Sequence, residues 1–98
     1  MSKQADPGVI EQRFLDFLNK REPPKTFCPS EVARALTSDE LASLHLNEWR
    51  EAMPAIRELA WAMRERGECE VLQKGEVLRQ DVRRLGEVRG PIRIRRVV

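Results

Sequence analysis

Two groups of residues in this 98-residue chain have types and spacings suited to chemistry, and both are built on arginine. The first is Arg50, Arg57 and Arg64, which recur every seventh residue, with Trp61 four positions after Arg57. On a helix, Arg57, Trp61 and Arg64 share one flank, so two guanidiniums can bracket an indole. The second group is Lys74, Arg89, Arg93, Arg95 and Arg96, near the C-terminal end. A guanidinium is planar, permanently charged and forked, which suits it to phosphate oxygens and guanine edges. Beside an indole it can also lie flat as a cation–π cover, and then Trp61 packs inward instead of facing a partner. The chemistry these residues offer is the binding of a polyanion.

Bond-making chemistry finds little support. His45 is the single histidine, and no Cys-Cys or His-x-x-x-His spacing accompanies it, so a zinc site is not expected. Cys28 stands where a helix N-terminus would favour a thiolate, but it has no base partner in the sequence. Cys69 alternates with Val71 and reads as core. With no glycine-rich phosphate loop and no carboxylate pair at catalytic spacing, the expectation is a non-enzyme without metal or cofactor.

The net charge of +2 conceals an asymmetry. Residues 79–98 hold seven arginines against Asp81 and Glu87, a net of +5, whereas residues 1–78 are at −3. A basic end on a near-neutral body points to a local contact with a polyanion, or else to a solubilising tail. Charged residues make up 35% of the chain, yet its apolar residues recur periodically, which argues for a folded domain over disorder. Residues 1–6 read as a flexible terminus and 7–98 as one domain. No apolar run approaches a membrane span, and MSKQADPGV lacks the apolar segment of a signal peptide. Two cysteines make no disulfide framework, so a cytoplasmic location and no membrane partner are expected.

The element that must position the first group is Asn47–Gly67. Trp49, Ala52, Met53, Ile56, Leu59, Ala60 and Met63 fall in one arc at 100° per residue. Asn47 is a credible cap and Gly67 a stop. Pro54 either kinks this helix or opens a second one at its first turn; the unbroken arc favours the kink. Upstream, a helix is expected from Pro7, with Asp6 as cap and Val9, Ile10, Phe14, Phe17 and Leu18 inward, ending before Pro23-Pro24. Lys25-Thr26-Phe27 suits a small edge strand. Cys28–Leu36 suits a short helix with Pro29 at its start, Glu31 on its dipole, and Val32, Ala33 and Leu36 buried. Thr37 and Glu40 form a capping-box pattern for a further turn or two, Ser38 to Leu44, with Leu41 and Leu44 inward.

After Gly67 the period changes to two. Glu68–Gln73 and Ile92–Arg95 alternate as strands, Lys74-Gly75 is a turn signal, and the loop between runs from about Gln73 to Arg89. Asp81–Leu85 suits a helical turn within it. Arg93 and Arg95 should face away from Ile92 and Ile94, towards phosphate or towards Glu68 and Glu70 across the hairpin. The order is that of an α+β winged helix-turn-helix: three main helices plus a C-terminal β-hairpin wing.

CPSEVARAL at 28–36, W-R-x-x-M-P-A-I-R at 49–57, QKG at 73–75 and RGPIRIR at 89–95 carry a further signal. Together and in this order, over roughly residues 10–96, they resemble the small bacterial family catalogued as domain of unknown function 3253. The resemblance implies a winged-helix fold and supplies no activity, substrate or cofactor. The chain is longer than that pattern between Leu36 and Trp49 and between Gly75 and Gly90. The function expected is nucleic-acid (DNA) binding, as in a transcriptional regulator; the alternative is a protein–protein interaction module. In the first case the Asn47 helix meets a groove with Arg50 and Arg57, although Glu51, Glu58 and Glu65 on the same helix would repel phosphates.

Overall fold

The structure, a computed structural model, describes residues 8–79 and 81–97. The expected flexible segment 1–6, the cap Asp6 and the start at Pro7 lie outside the described residues. Four α-helices precede a three-stranded antiparallel sheet, so the class is α+β and the arrangement is compatible with a winged helix.

Helix α1, Gly8–Lys20, buries Phe14 and Leu18. Phe14 meets Phe27 edge to face at 5.5 Å. The expected strand at Lys25–Phe27 shrinks to one bridge, in which Phe27 and Ile94 exchange both backbone hydrogen bonds (2.9 and 2.8 Å). The ladder stops there because the next donor position, two residues on, is Pro29, which has no N–H, while the Cys28 N–H donates to the Glu31 carboxylate at 2.9 Å and caps helix α2, Pro29–Arg34. Val32, Ala33 and Leu36 are buried as the sequence implied.

Helix α3, Ser38–Ser43, follows from the Thr37 box: Thr37 Oγ1 accepts from Glu40 N (3.1 Å), and Glu40 accepts from Thr37 N (2.9 Å). It is the further turn or two expected at Ser38 to Leu44, beside the three main helices. His45 ends it in the left-handed region (φ 61°), with His45 N–H donating to Ala42 O and Leu46 N–H to Leu41 O. That pair of bonds is a Schellman cap, so His45 has a conformational role.

The expected single kinked helix from Asn47 is instead two segments. A 3₁₀ turn, Trp49–Ala52, with Glu48 at its cap position, passes into helix α4, Met53–Glu65. Pro54 is the second residue of α4, where an N–H would have no intrahelical acceptor, so the proline costs no hydrogen bond. Ile56, Ala60 and Met63 are fully or almost fully buried, with Leu59 packed against them. Gly67 (φ 76°) closes α4 with the same cap as His45, its N–H on Arg64 O and the Glu68 N–H on Met63 O.

The sheet has the order β2-β1-β3, from β1 Cys69–Gln73, β2 Glu76–Val77 and β3 Arg93–Arg96. Lys74 (φ 53°) and Gly75 (φ 83°) make the two-residue turn between β1 and β2, so a short hairpin is nested inside the single wide hairpin that was expected. β1 pairs with β3 through Cys69↔Arg96, Glu70↔Arg95, Val71↔Ile94 and Leu72↔Arg93. The helical turn expected at Asp81–Leu85 falls instead at Leu85–Glu87, because the Glu87 carboxylate accepts from the N–H groups of Arg83 and Arg84 (3.3 Å each) and caps it there.

The apolar residues form two clusters. One holds α1, α2, α4 and the inner sheet face around Phe14, Phe27, Ile56 and Ile94. The other lies beneath the 78–92 loop, where Trp61, Val71, Val88 and Ile92 are buried and Leu78, Val82 and Leu85 pack on them. The long loop between β2 and β3 therefore folds back over α4 and rests on Trp61.

Candidate nucleic-acid interface

The helix flank expected to meet a partner is largely engaged within the chain. Trp61 is only 6% exposed, and its Nε1–H donates to Arg83 O at 3.2 Å. The Arg64 guanidinium lies 4.4 Å over the indole and donates to Val82 O (3.0 Å) and Arg79 O (2.7 Å). Arg57 donates to Gly90 O at 3.3 Å. These three side chains thus fasten the 78–92 loop to α4, and Trp61 is a buried anchor where an exposed flank was one expectation. The apolar residues of the loop need a surface to bury against, and the indole supplies it. What the 3₁₀ turn and α4 leave outward here is Glu51, then Pro54, Ala55, Glu58, Ala62 and Glu65. Such a face repels phosphates and lacks donors for base edges.

Arg50 is different. It lies 4.6 Å over the Trp49 ring, pairs with Glu48 at 3.2 Å and keeps 70% of its side chain exposed.

On the sheet, Ile92 and Ile94 point inward and Arg93 is exposed, as the alternation required. Arg95 pairs with Glu70 at 2.7 Å, its cross-strand neighbour. Arg93 does not reach Glu68 or Glu70: its register partner is Leu72, and it donates to Thr26 Oγ1 (2.8 Å) and Thr26 O (3.2 Å). Glu68 takes Arg66 instead, at 3.2 Å. Arg96 donates to Asn19 O at 3.0 Å. The strand arginines therefore tie β3 to α1 and to the segment before α2. Glu31 joins this network, with Arg21 at 2.6 Å and Arg93 at 3.9 Å. Partial burial raises the Glu31 carboxyl pKa, but the Cys28 N–H and the Arg21 guanidinium outweigh it and leave the carboxyl below its ordinary range.

Further cations stay outward on the β1–β2 turn and on the 78–92 loop. Lys74 sits exposed at the β1–β2 turn, and Arg89 is exposed with its carbonyl held by Gln73 Nε2 at 2.6 Å. Three more belong with them that sequence reasoning did not select: Arg79, Arg83 and Arg84, all exposed. Among the described residues the Arg83, Arg84 and Arg89 side chains have no ion pair or hydrogen bond, and Arg79 has only a 3.6 Å contact with exposed Asp81. The backbone beneath them is pinned at Val82 O, Arg83 O and Gly90 O by Arg64, Trp61 and Arg57. The adjacent Arg83-Arg84 pair before Glu87 was the available signal, since Glu87 engages only their backbone. Arg34, also passed over, lies 4.7 Å over Trp49.

No group of three or more His, Cys, Asp or Glu among the described residues is placed to hold a metal ion. Cys69 is buried, which pushes its thiol up to about 12, and Cys28 is half-buried, accepting from Ser30 Oγ at 3.1 Å. No described helix is long and apolar enough to cross a membrane.

The chain finds no match among curated proteins. Its four spaced motifs, and the elements they build from α1 through β3, correspond to a match spanning residues 7–97 with the family described as protein of unknown function (DUF3253), and the chain belongs to that family.

Proposed function

We propose that this chain is a winged-helix module that binds nucleic acid through its wing loop, gripping the phosphate backbone and performing no catalysis of its own. One observation carries the reading. Arg83, Arg84 and Arg89 project from a loop whose carbonyls are held by Arg57, Trp61 and Arg64, so their charges stand on a fixed support with their N–H groups unused among the described residues. A positioned guanidinium with free donors suits a phosphate, and the flanking Lys74 and Arg79 extend the patch. Contacts of this kind give affinity with little sequence information. DNA is the preferred target, and a recruiting or architectural role fits better than sequence-selective regulation, because α4 presents carboxylates and alanines where a reading helix would present donors. Two unpaired thiols suit a reducing cytoplasm.

The test is fluorescence anisotropy of a labelled random-sequence DNA duplex across salt. With three to five of Lys74, Arg79, Arg83, Arg84 and Arg89 engaged, the slope of log K against log[salt] from these contacts should be about −2.7 to −4.5, at ~0.9 per phosphate. Absence of salt-dependent binding at low ionic strength would overturn this reading. A second reading, docking to a protein, would then stand on the 3₁₀ turn and the outward face of α4, with Glu51, Glu58 and Glu65 directed at a basic partner.

A further inference from the structure

The arginines of this protein divide sharply by what their N–H groups do. Arg13 gives its guanidinium to Glu40, Arg21 to Glu31 and Thr26 O, and Arg95 to Glu70. Arg57, Arg64, Arg93 and Arg96 donate to backbone carbonyls. Outside the wing loop, Arg34 has no hydrogen bond or ion pair among the described residues, and Arg50 has only the exposed contact with Glu48. Yet neither is loose, because both lie over the same indole, Arg34 at 4.7 Å and Arg50 at 4.6 Å from the Trp49 ring.

Stacking uses the face of a guanidinium and leaves its N–H edge free. Trp49 is itself fixed, half-buried and packed against the main core. It therefore holds two long side chains in place, so less rotamer freedom remains to be lost when an anion arrives. The two charges come from separate elements, Arg34 from the last turn of α2 and Arg50 from the 3₁₀ turn before α4. The fold brings them to one ring, and among the described residues the one carboxylate paired with either is Glu48.

We propose that Arg34, Trp49 and Arg50 form a second phosphate-binding point for the nucleic acid held by the wing. This rests on the nucleic-acid reading above and adds the place where the backbone is gripped again. Arg57, which holds the wing base at Gly90, lies eight residues after Trp49. At about 2.0 Å per residue in the 3₁₀ turn and 1.5 Å in α4, that is roughly 14 Å along the axis. One duplex, with a charge every ~1.7 Å, readily supplies phosphates at both places.

The experiment measures anisotropy of the labelled random duplex across salt for wild type, Arg34→Gln/Arg50→Gln, Arg34→Lys/Arg50→Lys and a wing variant, Arg83→Gln/Arg84→Gln/Arg89→Gln. Thermal melts are run alongside to confirm folding. The glutamine pair should flatten the salt slope by about two units, ~0.9 for each lost contact. The lysine pair, which keeps charge but loses the fork, should keep the slope near wild type while binding more weakly. Should the glutamine pair prove unfolded, Arg34→Gln alone must flatten the slope by about one unit. A glutamine-pair slope equal to wild type, with the wing variant flattened, overturns the second point and leaves the wing reading intact. No salt-dependent binding by wild type overturns both.

Discussion

Trp61→Ala should detach the wing loop from α4 while the body of the domain stays folded. A buried Trp cut to Ala costs about 3–5 kcal/mol. The Trp61–Arg83 hydrogen bond is part of what is lost, at about 0.5–1.5 kcal/mol. The loop lies at the surface and can partly collapse into the space, so the lower end, about 3 kcal/mol, applies. For a domain of this size that lowers Tm by roughly 12–24 °C. Trp61 belongs to the cluster under the loop, whereas Phe14, Phe27, Ile56 and Ile94 form the other, so the damage should be local. Amide hydrogen exchange reads this directly. The Val82 and Val88 amides, bonded to Arg79 O and Leu85 O, should lose protection, while Phe27 and Ile94, bonded to each other across the bridge, keep theirs. Trp61→Phe retains most of the ring and should cost about 1–2 kcal/mol. A Tm drop below about 4 °C in Trp61→Ala, or unchanged exchange at Val82 and Val88, would refute the view that the indole anchors the loop.

Other consequences follow from the same contacts. Pro54→Ala should change stability by less than about 1 kcal/mol, because the second position of α4 needs no N–H; a loss above 2 kcal/mol in a denaturant melt would speak against that placement. A thiol reagent at neutral pH should modify Cys28 in the native protein and Cys69 only on unfolding, since burial drives Cys69 to about 12; equal rates would contradict the buried site. Glu40 titrates below its ordinary range, first through the Arg13 hydrogen bond and then through the Thr37 N–H. A depressed folded pKa adds stability above the unfolded value of about 4.3, and that stability is lost as pH falls through the folded value. The acid limb of Tm against pH should therefore be shallower in Arg13→Gln than in wild type, and identical limbs would discount the pair.

Features set by near neighbours were legible in the chain. The Thr37–Glu40 box, Pro29 with Glu31, and Gly67 each act within a few residues, and each appears where its pattern placed it. Pro54 was ambiguous for a physical reason. The four-residue 3₁₀ turn keeps Trp49 and Ala52 roughly in phase with α4, so the apolar arc is nearly the same for one kinked helix and for a restart. The fate of Trp61 and the arginines depends on contacts distant in sequence. Trp61 meets Arg83 across 22 residues and Arg57 meets Gly90 across 33, and nothing within the α4 pattern reveals those carbonyls. The arginines of the loop were counted in the basic C-terminal end, but that Arg79, Arg83 and Arg84 lie at the surface follows from the loop's apolar side facing α4.

The claim that the wing loop holds phosphates is tested most directly by the Arg83→Gln/Arg84→Gln/Arg89→Gln variant in the duplex salt titration. None of the three side chains supports the fold through a hydrogen bond or ion pair among the described residues, so Tm should hold. The slope of log K against log[salt] should flatten by about three units, ~0.9 for each lost contact. Glu51→Gln/Glu58→Gln/Glu65→Gln, on the 3₁₀ turn and the outward face of α4, should leave the slope unchanged. A wing variant that binds with the wild-type slope, or an α4 variant that alters it, would contradict the account.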